Sequence, residues 1–159
     1  MTNDEVFAGT TIASWKLAIN RLDQLTSALS DDQLQNEVST GRNRVYYILG
    51  HLTAVHDRML PLLRLGQRLH PELDKHFLEE ADRTTPDQLS AADLRKAFTE
   101  VNTTLTAAIE SLPAAEWLKR HDAISDEDFA KEPLRNRLAV LQSRAGHAMF
   151  HAGQIRLTQ

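Results

Sequence analysis

Two histidines, His147 and His151, stand one helical turn apart in the run His147-Ala148-Met149-Phe150-His151-Ala152-Gly153-Gln154. On a helix this spacing sets the two side chains about 40° apart around the axis, with Cβ atoms about 5–6 Å apart. Two imidazoles so placed can converge on one ion through metal–nitrogen bonds of about 2.0–2.1 Å. Ordinary core or surface histidines show the same spacing, and spacing alone does not separate the readings. The surroundings favour the metal: Val140, Arg144, Ala148 and Ile155 share about 100° of the helical wheel with His147. The pair therefore borders an apolar face. A buried imidazole without a partner costs about 1–3 kcal/mol, and one ion satisfies two at once.

A third ligand must come from elsewhere. His51 and His56 lie on one helical segment, about 140° apart around the axis, so both cannot aim at the same ion. His51 lies beside Ile48, Val55 and Leu62, and His56 beside Leu49, Leu52 and Leu63. Periodicity does not choose between them. His70, His76 and His121 fall in polar connections and are expected to be solvated. The chain has no cysteine, which excludes a cysteine nucleophile, a Cys-based zinc site and a disulfide framework. No Ser-His-Asp or paired-carboxylate arrangement offers a rival chemistry.

The elements that must position these residues are helices. Apolar residues recur at three- and four-residue spacing, and period-two alternation is scarce. A first helix is predicted over 4–28, with Phe7, Ile12, Trp15, Ile19, Leu22 and Leu25 on its apolar face. A second is predicted over 43–65, with Pro61 late in it and Gly66 as its stop. A short helix is expected near 73–80. A third long helix starts from Ser90 as N-cap and is closed by Pro113. A single turn follows over 113–119, and 121–132 reads as an irregular acidic crossing. The last helix is predicted from Pro133 to about Leu157, running through Leu134, Leu138, Leu141, His147 and His151. Four long amphipathic helices with long connections predict an all-α, up-down-type four-helix bundle in one domain, 1–159. Trp15 and Trp117 read as core. Gly146 and Gly153 share a helical face and suggest close helix packing, in the bundle or across a dimer. Gln154 is near enough to His151 to hydrogen-bond an imidazole, with an ordinary surface glutamine as the equal alternative. Ser125-Asp126-Glu127-Asp128 reads as a solvated loop, with a further carboxylate ligand as its alternative.

The chain has 159 residues, 18 Lys and Arg against 22 Asp and Glu, and a formal net charge of −4. It has no basic cluster of the kind that neutralises phosphates, so nucleic-acid binding is not expected. No apolar run nears the roughly 20 residues that span a bilayer, so no membrane partner is expected. MTNDEVFAGT lacks the basic start and apolar run of a secretion signal, and a cytoplasmic protein is predicted.

Gly50-His51-Leu52 after Val45-Tyr46-Tyr47-Ile48-Leu49, together with His147 through Ile155, resembles the two histidine signatures of the DinB/YfiT-like proteins. The last-helix pattern is His, three residues, His, a small or basic residue, Gly-Gln and an apolar residue. The resemblance covers nearly the whole chain in order. It implies a DinB-like bundle in which His51, His147 and His151 hold a divalent ion, nickel or zinc, with positions left open to water. It implies a small-molecule substrate, an external low-molecular-weight thiol as co-reactant, and a homodimer. The activity it implies is metal-dependent thiol transfer or hydrolysis. A non-catalytic, metal-binding stress-response bundle is the alternative, and a purely structural bundle with accidental histidines the third. Two positions depart from the family: Ala148 and Ala152 stand where polar residues, often Arg at the second, are common. With imidazole ligands of ordinary basicity, metal affinity is expected to fall between about pH 7 and pH 5.

Overall fold

The computed structural model describes residues 1–159, which form helices and connections with no strand. The four long helices are α1 (Asn3–Ser27), α2 (Val45–Leu62), α3 (Ala91–Ser111) and α5 (Arg137–Arg156), and α4 (Asp126–Lys131) is short. Thr2 and Glu5 form a capping box on α1, and Ser90 caps α3 by accepting from Asp93 N. No helix is long and apolar enough to cross a membrane.

Two core clusters divide the bundle lengthwise. One joins the second half of α1 (Ala18, Leu22), the first half of α2 (Val45 to Ala54), the start of α3 (Leu94, Phe98) and the end of α5 (Ala148, Ala152, Ile155). The other joins Ala8 and Trp15 of α1, Met59 and Leu60 of α2, Leu105 and Ile109 of α3, and Leu141 and Ala145 of α5. Helices α1 and α5 therefore run one way, and α2 and α3 the other. α1 lies chiefly along α5 and α2 along α3. Parallel neighbours cannot be joined by a tight turn, which is why the connection between α2 and α3 is long. Trp15 and Trp117 are both fully buried, as their type suggested.

Four boundaries and faces differ from expectation. The inner stripe of α1 runs through Ala8, Trp15 and Leu22, seven apart, so Phe7 is turned outward and is 60% exposed. α2 ends at Leu62, and the residue with left-handed backbone is Arg64 (φ 57°), not Gly66. α5 begins at Arg137, not Pro133. Asn136 is held extended by its bridge to Arg120 and caps the helix by accepting from Ala139 N. Leu134 is left outside, 83% exposed. The acidic crossing contains α4, because Ser125 caps it and Asp126, Glu127 and Asp128 sit at its positive N-terminal end.

The connection between α2 and α3 is fastened to α2 at both ends. Near the start of α2, Arg44 pairs with Asp82 at 2.6 Å and Asp87 at 2.9 Å. Farther along, the fully buried Asp57 accepts from Arg68 and from the backbone N–H groups of Leu69 and His70. Between these anchors a π-helical turn, Lys75–Glu79, presses the Phe77 ring onto Gly50. A Cβ at Gly50 would stand 2.2 Å from that ring. Gly146 and Gly153 meet nothing within 4 Å where a Cβ would be, so neither serves close packing within the chain.

Gly50→Ala is expected to lower stability by about 1–3 kcal/mol, since a buried ring and its backbone must move to admit one methyl group. Urea denaturation measures this. A variant as stable as the parent would contradict the close approach.

Candidate metal centre

His51 is held on α2, half-buried, while His147 and His151 are held one turn apart on the facing side of α5. The potential ligand nitrogens of the three rings all lie within 4.8 Å of one another. His147 Nε2 is 3.3 Å from His51 Nε2 and 3.1 Å from His151 Nε2. The rings meet edge-on, with interplanar angles of 69° for His51–His147, 68° for His51–His151 and 83° for His147–His151.

The other nitrogen of two rings is already committed. His51 Nδ1 lies 3.0 Å from Phe77 O. A carbonyl only accepts, so Nδ1 carries the proton and Nε2 the lone pair. His151 Nδ1 lies 2.7 Å from Gln154 Oε1, which fixes the same tautomer. Lone pairs of His51 and His151 thus face the Nε2 of His147. A divalent ion is a partner that suits three such nitrogens together, and a neutral all-nitrogen set suits zinc or nickel over calcium or magnesium. The buried His147 Nδ1, which has no partner in the protein, is the proton-bearing atom that coordination through Nε2 requires.

Burial lowers the basicity of His147 to about 4, helped by His151, His51 and Arg144. Burial also lowers His151, against the hydrogen bond that it donates to Gln154. Proton competition at His147 therefore begins well below the range that an ordinary imidazole implies.

The structure thus brings together the three histidines that the resemblance singled out. His56 is elsewhere: fully buried, its Nδ1 is 2.8 Å from Asn102 Oδ1, and its ring meets Trp15 edge-on. His70 sits between Glu72 and Glu100, and His76 bonds Thr85, so both are partnered and partly buried rather than free in solvent. His121 accepts from Ala123 N. The acidic run takes no part in the cluster; it forms the first turn of α4, where Asp126 pairs with Arg120. Phe77 escaped the sequence reading. Its one trace was the glycine beside His51, which a close neighbour requires.

A pocket of about 580 Å³ opens beside His151 and Gln154, between the turn that carries Ser39, Arg42 and Asn43 and the Phe150 ring. Arg42 is the one charged side chain in its lining.

The family model of the DinB superfamily matches residues 14–155. The chain belongs to the DinB superfamily. That span holds all three clustered histidines and runs from within α1 almost to the end of α5. Among curated proteins none matches the chain. In this DinB bundle the two departures, Ala148 and Ala152, are buried in the core. They pack helices together and put nothing polar beside the histidines.

Stability without metal is expected to fall as pH drops from about 6.5. Burial lowers His56 to about 3 and His147 to about 4 in the folded chain, against an ordinary 6.5. Below 6.5 the unfolded chain binds more protons than the folded one, so the loss grows until the folded groups protonate near pH 3. Urea unfolding in chelator at several pH values measures the slope, which is expected to flatten in His56→Leu. A slope of the opposite sign would overturn this account.

Proposed function

We propose that this DinB bundle is a divalent-metal-dependent enzyme, using His51, His147 and His151 as ligands and acting on a small molecule by thiol transfer or hydrolysis. The observation that carries the reading is the convergence of three imidazole Nε2 atoms, two with their tautomer set by Phe77 and Gln154. A bound zinc or nickel ion supplies Lewis acidity there and can bring the pKa of a coordinated water toward about 7, or deprotonate a coordinated thiol.

The chain's own residues provide the rest. Three neutral ligands leave the charge of the ion uncompensated, which strengthens that acidity. Phe77 O and Gln154 hold two rings in ligating orientation without contributing charge. The pocket beside His151 offers Phe150 as an apolar wall and Arg42 and Asn43 as polar contacts for a substrate. With no cysteine in the chain, a thiol must come from outside as a small molecule, and no covalent intermediate on a protein thiol can form. Homodimerisation is part of the proposal: Phe7 and Leu17 stand 60% and 59% exposed along α1.

Protein purified without added metal is expected to carry about one nickel or zinc per chain by elemental analysis. The triple alanine variant of His51, His147 and His151 is expected to carry none, and stoichiometric metal in that variant would sink the assignment. Metal-loaded protein, screened with electrophiles and small thiols and with esters and amides, is expected to show turnover that His147→Ala loses. Turnover surviving in that variant would refute metal-centred catalysis. Silence across the screen with metal bound would favour a non-catalytic metal-binding bundle.

A further inference from the structure

Beside the histidine cluster, complementary polar atoms are buried without partners. His56 Nδ1 faces Asn102 Oδ1 at 2.8 Å, while Asn102 Nδ2 donates to Phe98 O at 2.8 Å. With its nitrogen so engaged, Asn102 presents oxygen to His56, and His56 Nδ1 must carry the proton. Nε2 of His56 is then a bare acceptor, buried and without a donor.

His147 has the opposite need. Its Nε2 points at His51 and His151, so as a ligand it carries its proton on Nδ1, and that atom is buried without an acceptor. Arg144, three residues before His147 on the same side of α5, adds a second buried donor, its Nε. Because α2 and α5 run in opposite directions, the step from His51 to His56 moves along the bundle from the level of His147 and His151 toward that of Arg144. Arg144 and His147 both lie within electrostatic reach of the His56 ring. A water accepting from His147 Nδ1 and Arg144 Nε and donating to His56 Nε2 makes three bonds, the usual number for a buried water.

We propose that His56 is the positioning residue of His147, holding its Nδ1–H through one buried water to which Arg144 also donates, with Asn102 setting the tautomer of His56. The inference rests on the reading of His147 as a metal ligand. His56 touches neither ion nor substrate in this role. It keeps the His147 ring turned toward the ion, as a hydrogen-bonded outer partner does for ligating histidines generally.

The experiment is zinc titration against a competing chelator, with visible spectra of the cobalt(II)-substituted protein. His56→Leu is expected to weaken zinc binding about 10–100-fold and to shift the cobalt ligand-field bands. His56→Gln, whose side-chain oxygen still accepts, is expected to recover most of the affinity and the parental spectrum. A merely structural role would leave the spectrum unmoved. If His56→Leu does not fold, nitrogen-15 NMR of the zinc-loaded parent decides. His56 is expected as the Nδ1–H tautomer, and His147 Nδ1–H is expected to exchange slowly with solvent. Unchanged affinity and spectrum in His56→Leu, or an Nε2–H tautomer at His56, overturns the inference while leaving the metal site intact. A parent protein that binds no zinc, cobalt or nickel removes the metal reading and this inference together.

Discussion

Two hydrogen bonds made by the far side of an imidazole govern this protein. His51 Nδ1 donates to Phe77 O and His151 Nδ1 to Gln154 Oε1, and each bond forces a lone pair onto the Nε2 that faces His147. Without them, either ring could present N–H to the cluster and satisfy a neighbour by an ordinary hydrogen bond. With them, lone pairs crowd within 3.3 Å of His147 Nε2, an arrangement that gains by sharing a cation. Second-layer atoms with no charge thereby set the chemistry of the inner three.

Much of the architecture serves the first of these bonds. Phe77 belongs to a connection, and connections are the least constrained parts of a chain. Here the connection is riveted to α2 by Arg44 with Asp82 and Asp87, and by Asp57 with Arg68 and two backbone N–H groups. Ion pairs this sheltered are costly to break singly, because the remaining charge is stranded. Gly50 completes the arrangement by letting the Phe77 ring lie flush against α2, next to the histidine that its carbonyl must reach. The long crossover that the parallel packing of α2 and α3 demands is thus put to use, carrying an outer partner of the site.

His56 shows the cost of a polar interior. It is fully buried, its proton is pinned by Asn102, and its basicity is lowered to about 3. Such a group is kept neutral at physiological pH, and its free nitrogen is buried without a partner in the chain, as are His147 Nδ1 and Arg144 Nε. Polar atoms in an interior this dense weigh far more than at the surface, for or against the fold, according to whether they are paired.

The sequence by itself determined the four long helices, the cap at Ser90, the two core tryptophans and the pairing of His147 with His151. These follow from neighbours within about one turn, where chain geometry leaves little freedom. The choice of His51 over His56 was legible through the family's Gly-His-Leu motif but not from periodicity, since both histidines flank the same apolar stripe. The tertiary structure brought it about, because it depends on which helix each face of α2 meets: α5 for His51, α1 and α3 for His56. The start of α5 at Asn136 likewise came from a bridge to Arg120, a residue that local pattern cannot reach. The same holds for the outward turn of Phe7, the open space at Gly146 and Gly153, and the carbonyl of Phe77 at His51. Each is a contact between segments far apart in the chain, and local periodicity carries no record of such contacts.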